Sequence, residues 1–264
     1  MINMSDITVF KRYEKKYFMT EAQKEEFLKR TADYMKADAY GMTTIMNIYF
    51  DNRDYDLIRS SIEAPVYKEK LRLRSYGIPA KEDKVFTEIK KKYDGIVYKR
   101  RAVMNLSEAE GFLYHRIKPS EDSQIIREIE YFLKFYNSEP KLFIAYDRTA
   151  YVGNEDPSFR ATIDKDIRYR ENDLYLEDGD SGKRVFEDRR YLLEIKVPGA
   201  FPLWMASILN DLQIYPVSFS KYGAIYKNIG RDIFKARMKE NPYPVTEDDL
   251  DRLEVNALTA ARLG

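Results

Sequence analysis

The stretch "VYKEKLRLRSYG", Val66 to Gly77, places a cationic side chain at every second position. The cations are Lys68, Lys70, Arg72 and Arg74. Side chains of an extended chain alternate between two faces, so the pattern predicts a strand with one cationic face and one largely apolar face. A solvated outer face of a sheet would give the same pattern, so the neighbouring strands must decide between the two interpretations.

The next stretch, "VFTEIKKKYDGIVYKRRAVM", predicts a β-hairpin whose turn is Asp94-Gly95. An Asp-Gly pair between two β-rich runs is a strong signal for a two-residue turn, and that turn fixes the register. Lys90 is then expected opposite Lys99, and Glu88 opposite Arg101. Directly opposed lysines destabilise a sheet face unless an anion lies between them. The hairpin therefore predicts a face that binds an anion.

Patterns elsewhere predict about seven or eight strands in total. Residues 8–19 alternate like a strand, and Thr20 with Gln23 forms a capping box for the helix that follows. The stretch "SFRATIDKDIRYR" predicts a strand with Arg160, Thr162, Asp164, Asp166, Arg168 and Arg170 on one face. Because hairpins dominate the connections between strands, we expect a mainly antiparallel sheet.

Helices are predicted between the strands and at the C-terminal end. We expect Ser107 and Glu110 to cap one helix, and residues 246–263 to form the last one. A helix between these two has its apolar stripe at helical spacing. The stripe consists of Ile125, Ile126, Ile129, Phe132, Leu133 and Tyr136.

The composition excludes several classes of function. The 264 residues include 45 Lys and Arg against 44 Asp and Glu, and a net charge of +1 gives no reason to expect a nucleic-acid-binding protein. The absence of cysteine excludes disulfides, thiolate metal sites and a cysteine nucleophile, and His115 is the single histidine. No apolar run approaches the ~20 residues of a membrane span, and no signal-peptide core is evident. We therefore expect one cytoplasmic domain over residues 1–264.

At least five predicted strands carry Arg, Lys or Glu at alternate positions, which indicates that their charged faces converge. A sheet closed into a barrel turns such faces inward, and a charged interior is costly unless its charges are paired or hold a ligand. Cations are in excess on these faces, so the ligand is expected to be a polyanion. The carboxylates of Glu14, Glu88 and Glu194 are suited to bind a hard divalent metal that also contacts phosphate oxygens. The predicted fold class is α+β, an antiparallel β-barrel tunnel with a charged interior, buttressed by helices.

Short motifs then suggest a family. They are "RYEKKY", "KLRLRSYG", "FTEIKKK…YKRR", "DRTAY", "RATID", "LLEIK" and "FSKYG". In this order, over about residues 8–230, the chain resembles the VTC domain, the polyphosphate polymerase domain of the vacuolar transporter chaperone family and a branch of the triphosphate tunnel metalloenzymes. The family fold is an antiparallel tunnel lined with Arg, Lys and Glu. Residues 231–264 would be a helical extension.

The resemblance implies a set of site residues. The phosphate-binding set is Lys16, Arg72, Arg74, Lys90, Arg148, Arg160 and Lys221, with either Lys99 or Arg101 as the basic residue across the hairpin. Glu194 resembles the metal-binding glutamate, and Glu14 is expected either to bind the metal or to orient Lys16. Many tunnel enzymes begin with Glu-x-Glu-x-Lys, whereas this chain has Arg12 at the first position, so one metal carboxylate of that motif is missing.

The resemblance implies a polyphosphate polymerase that uses Mn²⁺ or Mg²⁺ and transfers the γ-phosphate of ATP to inorganic polyphosphate. Neither a P-loop nor a G-x-G-x-x-G motif occurs, so the nucleotide would be held mainly through its phosphates. Two alternatives stay open: a tunnel triphosphatase with water as the acceptor, and a non-catalytic receptor for polyphosphate or inositol phosphates. A membrane-bound partner is also left open.

Overall fold

The structure, a computed structural model, describes residues 13–229 except residues 64 and 95. The strands in this part are β1 (Tyr13–Met19), β2 (Met35–Asp51), β3 (Tyr67–Tyr76), β4 (Lys84–Tyr93), β5 (Ile96–Asn105), β6 (Glu139–Gly153), β7 (Arg160–Arg170), β8 (Lys183–Arg184), β9 (Tyr191–Val197) and β10 (Pro216–Val217). The helices are α1 (Glu21–Thr31), α2 (Asp56–Ile62), α3 (Leu106–His115), α4 (Gln124–Phe135), α5 (Leu203–Asp211) and α6, residues 221–229. The predicted helix over residues 246–263 lies outside the described residues.

The described strands form one sheet in the order β10-β1-β9-β7-β6-β2-β3-β4-β5, with β8 beside β7. Every pairing is antiparallel, as predicted. The predicted hairpin register is confirmed, since Lys90 pairs with Lys99 and Glu88 with Arg101. Asp94 in the turn has a φ of 42°, the left-handed conformation that a two-residue hairpin requires.

The predicted closure of the barrel is not formed by hydrogen bonds among the described strands, because β10 and β5 end the sheet without pairing to each other. The sheet nevertheless curls, and the side chains of its two halves come close. Glu14 on β1 and Lys90 on β4 affect each other's pKa although β9, β7, β6, β2 and β3 separate their strands in the sheet. Helices α2 and α6 line the opening between the two halves.

The outer face of the sheet is apolar and packs against two groups of helices. Strands β2 to β5 pack against α3 and α4, and the predicted α4 stripe supplies Ile126, Ile129, Phe132 and Leu133 to this core. Strands β1, β7 and β9 pack against α1 and α5 in a second cluster that includes Phe27 and Met205. The capping box of Thr20 and Gln23 that begins α1 is confirmed. These two helical layers leave the other face of the sheet to carry the charges.

The opposite, inner face combines charge with a smaller apolar cluster. Ile144 of β6 and Leu192 of β9 pack there against Tyr222 and Ile225 of α6. Helix α6 is therefore anchored on the inner face by its apolar side. Of the described helices, none is long and apolar enough to cross a membrane.

Two local predictions are wrong. Asn105 caps helix α3, and its side-chain oxygen accepts a hydrogen bond from the Glu108 amide at 2.7 Å. Asn is as good a cap as Ser and lies earlier in the chain, so Ser107 falls inside the first turn and does not cap the helix. Glu110 is buried and contacts Lys81 at 2.6 Å, so it does not act as the reciprocal cap.

The single charged face predicted for β7 is also wrong beyond Asp164. A β-bulge shifts the register between β6 and β7, and Asp166 there has a φ of 51°. An extra residue in a strand turns all later side chains to the other face. Arg168 therefore lies opposite Ala145, which belongs to the outer core, and Arg170 lies on the same face.

Candidate functional site

The inner face brings together all the residues predicted for the site. Strands β3, β4 and β5 carry two adjacent cross-strand rows of three residues each. One row is Arg72, Glu88 and Arg101, and the other is Lys70, Lys90 and Lys99. Strands β1, β9 and β7 also carry two adjacent rows. One is Lys16, Glu194 and Thr162, and the other is Glu14, Lys196 and Arg160. Arg74 follows Arg72 on the same face, Arg148 of β6 pairs with Asp164 of β7, and Lys221 begins α6.

Glu88 organises one group of cations, which we call the Glu88 cluster: Glu88, Arg72, Arg74, Lys99 and Arg101. The Glu88 side chain is 1 % exposed. One carboxylate oxygen accepts hydrogen bonds from Arg72 at 2.8 and 2.6 Å, and the other from Arg101 at 2.7 Å and Lys99 at 2.8 Å. Arg74 lies 3.9 Å away. Both oxygens are thus occupied by cations, which leaves Glu88 no free oxygen for the metal that the sequence suggested.

The charges of this cluster depend strongly on one another. Burial alone would raise the pKa of the Glu88 carboxyl, but Arg72, then Arg74 and Lys99, hold it far below its usual range. Loss of solvent around the amine lowers the pKa of Lys99 to about 8 in spite of Glu88. The Lys99 side chain nevertheless keeps 41 % of its surface in contact with solvent.

Of the two opposed lysines, Lys90 and Lys99, one lacks an anionic partner in the part of the chain that the structure describes. Lys99 contacts Glu88, whereas Lys90 has no carboxylate within ion-pair distance among the described residues. The pKa of Lys90 is lowered, first by loss of solvent and then by Lys16 and Arg72, against an opposing effect of Glu14. An unpaired cation that faces another cation is a position where an anionic ligand would relieve repulsion.

A second group, the Glu194 cluster, contains Glu194, Asp164, Arg148, Lys221 and Lys16. Arg148 donates two hydrogen bonds to the fully buried Asp164, at 2.5 and 2.7 Å, and lies 3.5 Å from Glu194. The Lys221 amine bridges Asp164 at 2.6 Å and Glu194 at 3.1 Å. Lys16 lies 3.9 Å from Glu194 and donates to the carbonyl of Phe219, so β1 and the start of α6 are held together.

Tyr146 connects the two clusters. Its hydroxyl accepts a hydrogen bond from Arg74 at 3.2 Å, and its ring lies under Arg148 and Lys221, whose charged groups are 5.0 and 4.4 Å from the ring centre. Burial alone would raise the pKa of this phenol, but Arg74, Arg148 and Lys221 lower it on balance. The arginines of the site are therefore fixed by neutral as well as anionic partners.

The carboxylates Glu14 and Glu194 fit a metal only together with a ligand. Among the described residues there is no group of three or more His, Cys, Asp or Glu that could hold a metal ion. Glu14 lies 3.3 Å from Lys16 and 3.6 Å from Lys196, and the Glu194 carboxylate also contacts lysines. Mg²⁺ is typically bound by one or two carboxylates with waters and substrate phosphates, and this donor set fits that description. Beside Glu194, the buried Thr162 hydroxyl has no hydrogen-bond partner within the described part of the chain.

Sequence reasoning assigned no role to Asp164 and Tyr146. The face predicted for β7 already included Asp164 with Arg160 and Thr162. Tyr146 shares a period-two face with Arg148, so its position on the charged face could have been inferred. Arg160 lies at the end of β7 on the same face and is exposed to solvent.

Comparison with known proteins identifies the family. The model of the VTC domain matches residues 11–229, and the chain belongs to the VTC domain family. A comparison with curated proteins finds no significant match.

Three solved structures to which the chain is similar have low sequence identity. A candidate adenylate cyclase from Bacillus halodurans is 13 % identical, with 81 % of this chain and 94 % of that chain covered and a TM-score of 0.49. HpAC1, a candidate adenylyl cyclase from Hippeastrum described as having a dominant triphosphatase activity, is 13 % identical, with 81 % and 95 % covered and a TM-score of 0.47. The Mimivirus capping enzyme triphosphatase is 8 % identical, with 76 % and 88 % covered and a TM-score of 0.33.

Proposed function

We propose that this protein is a metal-dependent polyphosphate polymerase that transfers the γ-phosphate of ATP to a growing polyphosphate chain. Membership of the VTC domain family supports the proposal. The observation that carries it is the inner face itself, where cations from seven strands and α6 converge around a few carboxylates. Such an excess of positive charge in a concave site suits a chain of phosphates.

Arginine and lysine would divide the binding of the triphosphate between them. Arg72, Arg74 and Arg148 would contact phosphate oxygens with guanidinium groups already oriented by Glu88, Asn47 and Asp164. Lys90 and Arg160, which have no carboxylate within ion-pair distance among the described residues, would add unshielded positive charge. Orientation before binding reduces the entropy lost when the ligand is fixed.

Lys16, Lys99, Arg101 and Lys221 would steer the acceptor chain. A terminal phosphate oxygen of the acceptor would attack the γ-phosphorus of ATP, the bond from that phosphorus to the β–γ bridging oxygen would break, and ADP would leave. Phosphoryl transfer of this kind requires positioning and charge stabilisation and no protein nucleophile. This agrees with a chain that has no cysteine and one histidine.

Glu194, with Glu14 beside it, would hold Mn²⁺ or Mg²⁺ on the phosphate oxygens. The bound metal would neutralise negative charge on the transferring group. Lys16, which lies within 4 Å of both carboxylates, would keep them from repelling each other while no metal is bound. A cytoplasmic location, where ATP is available, belongs to the same proposal.

The deciding experiment is incubation of the purified protein with ATP and Mn²⁺, followed by gel separation of the products. Long polyphosphate that forms only with metal supports the polymerase. Release of free phosphate without polymer would favour a tunnel triphosphatase. If neither product forms with Mn²⁺ or Mg²⁺ while tripolyphosphate still binds, the receptor interpretation replaces the enzyme.

A further inference from the structure

Thr162 on β7 carries a buried hydroxyl that the contacts of the Glu194 cluster leave unused. Glu194 of β9 lies directly opposite Thr162, and Ala150 of β6 lies on its other side. The hydroxyl oxygen is shielded from solvent, yet within the described part of the chain it has no hydrogen-bond partner. The large majority of buried side-chain polar atoms have a partner, so this hydroxyl requires an explanation.

The Glu194 carboxylate is surrounded by cations. Lys221 and Lys16 lie 3.1 and 3.9 Å from one of its oxygens. Arg148 and Lys196 lie 3.5 and 3.8 Å from the other. A divalent metal at this carboxylate would repel all four cations, because like charges repel strongly at such distances. Metal binding is therefore expected to free at least one oxygen of Glu194 from its present partners.

Thr162 can take the place of a displaced cation. Side chains directly opposite each other in an antiparallel pair have Cβ atoms about 4.5–5.5 Å apart, so rotation of the Glu194 side chain brings a carboxylate oxygen within reach of the hydroxyl. The two cross-strand neighbours of Glu194 are Lys16 and Thr162. Lys16 would repel a metal, whereas the hydroxyl is a neutral donor. Carboxylates that bind metals are usually hydrogen-bonded in turn, and these partners orient the ligand atoms.

A second threonine shows that an unpaired hydroxyl alone does not indicate a site. Thr87 of β4 is fully buried, and its hydroxyl also has no hydrogen-bond partner among the described residues. It lies between Leu73 and Ala102 in the apolar core under α3 and α4. Thr162 differs from Thr87 in lying opposite a carboxylate of the charged face. Thr87 is therefore the matched control for an experiment on Thr162.

We propose that Thr162 is a positioning residue for Glu194. When a divalent metal on the phosphates of the ligand displaces cations from Glu194, the Thr162 hydroxyl donates a hydrogen bond to that carboxylate and fixes its orientation. The inference rests on the proposed function, since it takes Glu194 as the metal-binding residue. It concerns binding, so it is tested without ATP and without the polymerase reaction.

The test compares the binding of tripolyphosphate with Mn²⁺ and with EDTA by titration calorimetry. Thr162→Val keeps the shape of the side chain and removes the hydroxyl. We expect this variant to bind the Mn²⁺ complex about tenfold more weakly than the wild type does, and metal-free tripolyphosphate equally well. Thr162→Ser keeps a hydroxyl and should retain the affinity for the Mn²⁺ complex. Thr87→Val should bind both forms of the ligand as the wild type does.

The thermal stability of the metal-free protein separates this role from a structural one. Loss of an unpaired buried hydroxyl removes no hydrogen bond, so Thr162→Val and Thr87→Val should melt at the wild-type temperature or above it. A double-mutant cycle then tests the contact itself. In a Glu194→Gln protein, Thr162→Val should cause no further loss of affinity for the Mn²⁺ complex, because the two residues act through one interaction.

Several results would overturn the proposal. Equal losses with Mn²⁺ and with EDTA would mean that the hydroxyl contributes to phosphate binding, and unchanged binding of both would leave it without a role. A lower melting temperature of Thr162→Val would show that the hydroxyl already has a structural partner. Additive losses in the cycle, or a wild type that gains no affinity from Mn²⁺, would also exclude the contact. If the wild type makes no polymer from ATP, the proposed function fails, whereas binding of the Mn²⁺ complex still decides the role of Thr162.

Discussion

Replacing Glu88 with glutamine tests whether this carboxylate organises the site. The change keeps the size of the side chain and removes the negative charge that Arg72, Lys99 and Arg101 share. Breaking a buried ion pair by removing one partner typically costs 3–5 kcal/mol. These cations are 23 to 41 % exposed, so water can partly solvate them, and we expect the lower limit, about 3 kcal/mol. For a chain of this size that loss lowers the melting temperature by about 6–12 °C.

The pH dependence follows from the direction of the pKa shift. The folded-state pKa of Glu88 is lowered, so its stabilising contribution is present above the unfolded value of about 4.3 and is lost as pH falls through the folded value. The difference between wild type and Glu88→Gln should therefore be complete at neutral pH. Saturating tripolyphosphate should reduce it, because the ligand supplies negative charge to the same cations.

The measurement is a thermal melt followed by circular dichroism, with and without tripolyphosphate. Glu130→Gln is the matched control, since Glu130 lies on α4 and pairs with Lys134 away from the inner face. The control should melt as the wild type does. If Glu88→Gln also melts at the wild-type temperature, the carboxylate does not hold the cations together and our account of the Glu88 cluster is wrong.

Four further predictions concern the ligand. Tripolyphosphate at 100 times its dissociation constant should stabilise the wild type by about 2.7 kcal/mol and so raise its melting temperature, whereas an equal concentration of acetate should not. An unchanged melting temperature with tripolyphosphate would contradict anion binding. Lys16→Ala should weaken tripolyphosphate binding whereas Lys15→Ala, on the opposite face, should not, and equal losses would show that the β1 register is wrong. Glu194→Gln should slow polymer formation by about 100-fold while metal-free tripolyphosphate still binds; a near-normal rate would exclude Glu194 as the metal ligand. Tripolyphosphate affinity should fall between about pH 7 and pH 9 as Lys70 and Lys99, each with a pKa of about 8, lose their charge, and a flat titration profile would contradict this.

The strands of the inner face were predictable because their determinants are local. Alternation places Lys90 and Arg72 on defined faces, and the Asp94-Gly95 turn fixes which residues oppose each other. The bulge at Asp166 was not predictable in this way, since one inserted residue leaves the composition of the strand unchanged while it reverses every later side chain.

The ion-pair partners within the site could be identified only from the three-dimensional structure. Arg148 looks like a free cation in "DRTAY", yet Asp164 on the adjacent strand accepts two of its hydrogen bonds. Glu88 looked like a metal ligand, yet both of its oxygens are occupied by Arg72, Arg101 and Lys99. Period-two patterns give the face of each side chain but not its partner, because partners depend on how the sheet curls and where α6 packs.

Among the described strands β5 lies at one end of the sheet, and this position gives its cations a second role. An edge strand exposes unpaired backbone groups, which can pair with another molecule and begin aggregation. On β5 the central residues are Lys99, Arg100 and Arg101, and charged side chains of this kind oppose edge-to-edge association. Mutations that neutralise them to abolish phosphate binding would also remove this protection. A long polyanion that screens the same charges would have a similar effect, so the solubility of the protein and its ligand saturation are expected to be linked through a single strand.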